Sequence, residues 1–132
     1  APANMWVANF IGQTNVLECT YIDTNKADFN GVEILFNEKK SNRKFVKGAT
    51  INLIIRPEDV DINPIVNKNS KMKARVLSSN YHGSLFTVVL KWKGLFLRAE
   101  TKQTLDIGKD VGISFDPKAV YAMPQREIKV EE

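Results

Sequence analysis

The chain has 132 residues, of which 43% are hydrophobic and 26% are charged, and its formal net charge at pH 7 is +4. This length allows one domain or two very small lobes, and the composition is that of a globular protein, which excludes wholesale disorder. No apolar run approaches the roughly 20 residues that a membrane-spanning helix needs.

The N-terminal segment is predicted to be a connector over residues 1–14. It has neither an initiator Met nor the basic and apolar regions of a signal peptide, so we expect it to continue from a longer chain. Apolar residues at helical spacing, with a glycine after them, predict one short helical turn. These residues are Val7, Phe10, Ile11 and Gly12.

About eight short strands are predicted in the rest of the chain, at a spacing of roughly ten residues. Their ranges are 16–22, 32–36, 49–56, 72–77, 84–92, 95–100, 110–115 and 119–123. Apolar and polar residues alternate in most of them, which is typical of a half-buried strand. We therefore predict an all-β barrel or sandwich.

Turn-forming residues separate these strands and divide the chain into two similar halves. Asn30-Gly31 and Lys93-Gly94 predict tight hairpins, and a further turn is predicted at residues 80–83. The predicted divisions are a first lobe at 15–62, a linker at 63–70, a second lobe at 71–123 and a tail at 124–132.

One stretch of sequence occurs twice, because Gly48–Val60 aligns without a gap with Gly108–Val120. Each copy begins with glycine, continues with alternating apolar residues, and ends with a proline followed three residues later by valine. Proline cannot donate a ladder hydrogen bond, so each copy predicts a strand that is stopped by a turn. Since neither half has enough apolar surface to stand alone, the repeat predicts two small units that share strands.

Residues for nucleophilic or metal chemistry are scarce. His82 is the only histidine and Cys19 the only cysteine, which excludes a histidine-based triad or a multi-histidine metal site within this chain. Cys19 lies in a strand-like run and is predicted to be a small buried residue rather than a reactive thiol. Gly108-Lys109-Asp110 lacks the upstream glycine and the hydroxyl of a phosphate-binding loop. We predict no catalytic, cofactor-binding or metal-binding residue.

A group of charges surrounds the first proline of the repeat, at Arg56, Pro57, Glu58 and Asp59. Pro57 pre-sets φ for a turn, and carboxylates in the next positions suit the free N–H groups of that turn. Arg56 could form an ion pair with either carboxylate. The second copy keeps the proline, as Pro117, but changes the charges. We interpret the four residues as a structural turn that is also a candidate regulatory site.

Nucleic-acid binding is an alternative for a basic all-β chain. Much of the positive charge lies in residues 37–47 and 68–75, which are predicted to be solvated loops. An oligonucleotide-binding barrel stacks bases on exposed aromatic residues beside cations. The aromatic residues of strand 84–92 lie on its predicted core face, so Phe96, which shares a face with Arg98, is the only good stacking candidate.

Two stretches resemble the ATPase subunits of ABC importers. Residues 4–15 (Asn-Met-Trp-Val-Ala-Asn-Phe-Ile-Gly-Gln-Thr-Asn) are similar to the segment that follows their nucleotide-binding domain. Residues 55–60 (Ile-Arg-Pro-Glu-Asp-Val) resemble a hallmark of their C-terminal transport-associated OB (TOBE) domain. Asn80-Tyr81-His82-Gly83 is most similar to the spermidine/putrescine import ATPases. The chain departs from this pattern at Trp6, where Phe is usual, and in a longer and more basic segment at 36–46.

The resemblance implies a single OB-like TOBE domain over residues 1–132, without catalysis of its own. ATP and Mg²⁺ would bind an N-terminal domain that is not in this sequence. The implied partners are a second copy of the subunit and, through the ATPase domain, membrane permease subunits at the cytoplasmic face of the membrane. The implied role is dimerisation and regulation in a polyamine importer, and the alternative is sensing of a small anion or metabolite.

Overall fold

A computed structural model describes residues 14–41, 44–66 and 72–124. Within these residues, two five-stranded antiparallel sheets account for every strand. The prediction of an all-β fold is confirmed. The predicted helical turn before residue 14 and the tail after residue 124 lie outside the described residues.

The described residues form ten strands and three short 3₁₀ turns. The strands are β1 (Asn15–Asp23), β2 (Lys26–Phe29), β3 (Val32–Leu35), β4 (Thr50–Ile55), β5 (Val60–Asn63), β6 (Lys73–His82), β7 (Leu85–Trp92), β8 (Leu95–Thr101), β9 (Asp110–Phe115) and β10 (Tyr121–Pro124). The 3₁₀ turns are Glu38–Ser41, Pro57–Asp59 and Pro117–Ala119.

Two of these strands, β2 and β5, were not predicted, and a predicted turn is wrong. β2 and β5 have four residues each, too few for alternation to distinguish them from the turns beside them. Residues 80–82, predicted as part of a turn, continue β6, because Tyr81 and His82 pair with Phe86 and Leu85. The chain reverses only at Gly83, whose φ is +77°.

The first compact unit consists of the described residues up to 55 and from 117 onward. Its sheet has the strand order β10-β4-β1-β2-β3. One face of β1 carries Leu17, Cys19 and Tyr21, all at most 5% exposed, while Glu18 and Thr20 are exposed on the other face. β4 is buried from Ile51 to Ile55 and lies between β10 and β1, next to the central strand β1.

The second compact unit consists of the described residues between 56 and 116. Its sheet has the strand order β5-β9-β6-β7-β8. Trp92 is 1% exposed and meets Phe115 edge to face, with ring centroids 5.9 Å apart. Gln103 Nε2, after β8, donates to the Ile62 carbonyl of β5 at 2.9 Å, so the sheet curls until its two edges approach.

Each copy of the repeated stretch contributes one strand to each of the two sheets. In the first copy, β4 belongs to one sheet, and the strand after Pro57, β5, pairs with β9 of the other. In the second copy, β9 is followed by Pro117 and then by β10, which pairs with β4. Each copy of the repeat therefore contributes its short second strand to the sheet that contains the first strand of the other copy.

The structural repeat is longer than the thirteen residues visible in the sequence. Gly48 N donates to Tyr21 O at 2.9 Å, and Gly108 N donates to Val76 O at 2.8 Å. Both glycines have positive φ, +84° and +87°. β1 and β6 also carry a ladder irregularity directly after these acceptors. Tyr21 and Val76 are therefore equivalent, and β1 corresponds to β6.

The hairpins extend the same correspondence. Asn30-Gly31 joins β2 to β3 with φ of +48° and +89°, and Lys93-Gly94 joins β7 to β8 with φ of +49° and +82°. Positive φ at both central residues is the conformation of a type I′ turn, so both predicted hairpins are confirmed. Phe29 before the first turn is equivalent to Trp92 before the second.

Candidate functional site

The predicted turn at Arg56–Asp59 forms directly after β4. Arg56 is extended (φ −74°, ψ 150°), as expected of a residue that precedes proline. Asp59 N donates to Arg56 O at 2.9 Å, and the N–H of Val60 donates to Pro57 O. The turn is thus held by its own backbone and by the buried side chain of Val60, which is 3% exposed.

The charged side chains of this turn lie at or near the surface and do not hold the turn together. Arg56 and Glu58 are exposed and Asp59 is half-buried. Among the described residues no ion pair joins Arg56 to Glu58 or Asp59, so the considered ion pair does not form. The second copy repeats the backbone, with Val120 N donating to Pro117 O at 3.3 Å. Because the turn forms with either set of charges, those of the first copy are available to a partner.

The basic segment 37–47 is anchored at its start and near its end. Tyr21 Oη donates to Glu38 Oε1 at 2.6 Å, and the N–H of Asn25 donates to the same oxygen at 3.0 Å. Glu38 N donates in return to Asn25 Oδ1 at 3.0 Å. Phe45 packs against Tyr21 and Phe36, with centroid distances of 5.5 and 6.3 Å. This part of the chain is therefore not a free solvated loop at its two ends.

The hydrogen bond to Glu38 raises the pKa of Tyr21 above its ordinary value, and burial and the nearby carboxylate act in the same direction. Between the two anchors the segment presents the exposed cations Lys39 and Lys44, and Lys47 follows. The anchors were not predicted, because they join residues from three separate parts of the first unit.

An open cleft of about 370 Å³ lies beside this anchor in the first unit. Its lining is mostly apolar and includes Leu35, Phe36 and Pro117. Lys26 and Lys118 also line it. The remaining lining residues are Thr24, Asn25 and Asn37. Sequence reasoning missed the cleft because its walls come from segments some 80 residues apart; the only available signal was that Lys118 replaces Glu58 in the second copy of the repeat.

The stacking candidate Phe96 is 65% exposed on β8 and lies directly across from Lys91 of β7. Trp92 is 1% exposed, which confirms that it belongs to the core. A second exposed ring is Tyr81, another aromatic residue of the nucleic-acid alternative, which lies in β6 and not in the predicted turn. It is 62% exposed, its ring lies 5.1 Å from that of Phe86, and its hydroxyl donates to Gly83 O.

The single cysteine is inert in this environment. Cys19 is 3% exposed, and burial raises the pKa of its thiol to about 12, with a smaller contribution from Asp28 and Glu18. Its thiolate is therefore negligible at neutral pH. His82 is exposed at the end of β6. The described residues contain no cluster of His, Cys, Asp and Glu that could hold a metal ion.

None of the helices in the described parts of the chain is both long enough and apolar enough to cross a membrane.

Several spermidine/putrescine import ATP-binding proteins, named PotA, are similar to this chain. The protein of Malacoplasma penetrans is 30% identical over 122 residues, which are 92% of this chain and 20% of that protein. The protein of Mycoplasma genitalium is 32% identical over 124 residues, or 93% and 22%. That of Mycoplasma capricolum is 32% identical over 130 residues, or 92% and 34%. The chain thus spans about a fifth to a third of these curated relatives, at their C-terminal part.

Among solved structures, the fold resembles that of the cytoplasmic molybdate-binding protein ModG with molybdate bound. The TM-score is 0.68, and the match covers 83% of this chain and 95% of that chain at 12% identity, so it bears on the fold alone. A family model described as the TOBE domain matches residues 53–123, from β4 through β10. That match covers more than half of the chain and both proline turns of the repeat, and it shows that the chain belongs to the TOBE domain family.

Proposed function

We propose that this chain is the non-catalytic C-terminal domain of the ATPase subunit of an ABC importer for polyamines. We further propose that it joins two copies of the subunit and regulates their ATP hydrolysis. The observation that carries the proposal is the alignment with spermidine/putrescine import ATP-binding proteins over at least 92% of the chain. The TOBE family match supports the same assignment.

The ATP-binding and TOBE functions would lie in different parts of such a subunit. The relatives' remaining length, about two thirds or more, would contain the sites for ATP and Mg²⁺ and the contact with the membrane permease subunits. The TOBE domain would then act by packing rather than by chemistry, at the cytoplasmic face of the membrane. It would keep two ATPase subunits together while their nucleotide sites open and close.

The candidate regulatory site in this proposal is the turn of Arg56, Pro57, Glu58 and Asp59. Its backbone hydrogen bonds are satisfied within the turn, and its guanidinium and carboxylates form no ion pair with one another. A partner that binds here therefore meets charges that need not break a structural contact first. Such a contact is weakened by salt, because the exposed charges are screened.

Removal of the domain from the full-length subunit tests this proposal. We expect the truncated subunit to dimerise more weakly, and its ATP turnover and spermidine uptake to change. A matched variant, Arg56→Ala with Glu58→Ala, should keep the dimer and alter only regulation of ATP turnover. Unchanged dimerisation, turnover and uptake in the truncated subunit would contradict the proposal.

Sensing of a small anion or metabolite is the second candidate, and the cleft of the first unit favours it. An apolar floor with Lys26 and Lys118 suits a ligand that has an anionic group beside an apolar part. Calorimetry of the chain against molybdate, sulfate and polyamines tests this candidate. Binding should weaken in Lys26→Gln but not in Lys102→Gln, an exposed lysine outside the cleft. Absence of heat with every ligand would count against the candidate.

A further inference from the structure

The outer faces of the two sheets carry opposite charges at equivalent positions of the repeat. Because Tyr21 is equivalent to Val76, Glu18 of β1 corresponds to Lys73 of β6. The two type I′ hairpins align β2–β3 with β7–β8, so Asp28 corresponds to Lys91. At these two pairs of positions the first unit is acidic and the second unit is basic.

The acidic face consists of Glu18, Asp28 and Glu33 in the first unit, and the exposed Lys26 on the same side of β2 offsets part of its charge. Glu18 and Glu33 are exposed and Asp28 is half-buried. Asp28 lies directly across from Glu33 in the β2–β3 register, on the side of the sheet opposite the buried residues Ala27 and Phe29. Like charges in a directly opposed pair repel each other, so this face favours a partner that supplies cations.

The basic face consists of Lys73, Arg75 and Lys91 in the second unit, and all three are exposed. Arg98 and the half-buried Glu100 lie on the same side of β8 as Phe96. Arg75 lies directly across from Lys91, which again places like charges side by side. Within this sheet Asp110 Oδ1 lies 3.4 Å from Arg75 Nε and offsets part of this charge. The ring of Phe96 stands among these cations, across from Lys91, and adds exposed apolar area to the face.

We propose that the acidic face of one copy of the chain binds the basic face of a second copy. This inference rests on the proposed joining of two subunits and identifies the surfaces that join them. Each copy offers one face of each sign, so either copy can supply the charge that a face of the other copy lacks. Opposed charges relieve the repulsion within both faces, and Phe96 supplies the aromatic anchor that protein interfaces typically contain.

A second copy accounts for both faces, whereas single-stranded nucleic acid accounts for one. Cations around Phe96 would suit a nucleic-acid strand, because phosphates bind cations and bases stack on exposed rings. The equivalent face of the first unit, however, has the charge that repels phosphate. A second copy supplies charges of both signs, whereas a nucleic-acid strand supplies only negative charge.

Charge reversal on each face provides the test. The first variant combines Glu18→Lys with Glu33→Lys, and the second combines Lys73→Glu with Lys91→Glu; all four side chains are exposed. The control combines Lys102→Glu with Lys109→Glu, which lie outside the basic face. Sedimentation velocity of the 132-residue chain at low salt measures self-association, and circular dichroism measures whether each variant folds.

We expect the wild type and the control to self-associate, with an affinity that falls as salt rises. Each reversed variant alone should self-associate at least about 100-fold more weakly than the wild type, because its two faces then have the same sign. An equimolar mixture of the two reversed variants should recover association, since each supplies the face that the other lacks. Recovery also shows that both variants are folded.

Three results would overturn the inference. Wild-type affinity in both reversed variants would leave the joining of two subunits in place but assign it to another surface. A wild-type chain that stays monomeric would contradict the proposed function and the inference together. Reversed variants that fold but do not associate in the mixture would exclude complementary faces. In that case, if the wild-type chain binds an oligonucleotide and the variant Lys73→Glu with Lys91→Glu does not, the basic face would be assigned to nucleic acid.

Discussion

Replacing Tyr21 with phenylalanine should weaken the attachment of the start of segment 37–47 to β1. The substitution removes the hydroxyl that donates to Glu38 Oε1 at 2.6 Å and keeps the ring that packs against Phe36 and Phe45. A hydrogen bond to a charged acceptor contributes about 1.5–3 kcal/mol to stability. Because Glu38 is only half-buried and still accepts from the N–H of Asn25, water can replace the lost donor. We therefore expect the lower end, a loss of about 1.5 kcal/mol in the free energy of unfolding.

Urea unfolding followed by circular dichroism measures this loss, and Tyr81→Phe is the matched control. The Tyr81 hydroxyl donates to Gly83 O on an exposed hairpin, so its removal should cost less than about 0.5 kcal/mol. A double-mutant cycle with Glu38→Gln should give a coupling of about 1 kcal/mol between Tyr21 and Glu38. Equal losses for Tyr21→Phe and Tyr81→Phe would refute the proposed anchor.

The same hydrogen bond predicts a pH dependence at the alkaline end. Glu38 raises the pKa of Tyr21 above its ordinary value of 10.0, so the folded state favours the protonated phenol. The stabilisation is complete below pH 10 and is lost as the pH rises through the raised pKa. Unfolding curves of the wild type and Tyr21→Phe should therefore converge above pH 10.

Three further predictions follow from the repeat and the core. Gly94→Ala should cost about 1 kcal/mol in urea unfolding because its φ is +82°, whereas Gly112→Ala, whose added Cβ meets no atom nearer than 3.6 Å, should cost less than about 0.5 kcal/mol. The Cys19 thiol, with a pKa of about 12, should react with a thiol reagent only in urea, and rapid labelling of the native chain would contradict its burial. Val60→Ala and Val120→Ala should each cost about 2 kcal/mol, and a loss at only one of them would contradict the equivalence of the two copies.

The strands that could be predicted from the sequence are those in which apolar and polar residues alternate over six or more positions. β1, β7 and β8 have seven to nine residues and a buried face that alternation identifies. β4 was predicted as a half-buried strand but is buried on both faces from Ile51 to Ile55. The four-residue strand β5 was missed because its pairing with β9 depends on residues some 50 positions away. The gapless repeat nevertheless indicated shared strands, since a proline-stopped strand recurs with its glycine, its apolar stripe and its valine.

The candidate site was less predictable, because most of its features depend on register or tertiary contact. Arg56–Asp59 could be found because its residues are contiguous. The ion pair considered for Arg56 does not form, because the backbone alone closes the turn. The opposed pairs Asp28–Glu33 and Arg75–Lys91 could not be found from charge counts, since only the strand register places them side by side.

The mass of the chain in solution tests the central claim, the joining of two subunits through this domain, most directly. Sedimentation equilibrium of the 132-residue wild-type chain over a range of concentrations measures that mass. We predict a concentration-dependent rise to twice the mass of one chain, with a dissociation constant that increases with salt because charged faces form the contact. A single species with the mass of one chain at every concentration would contradict the account.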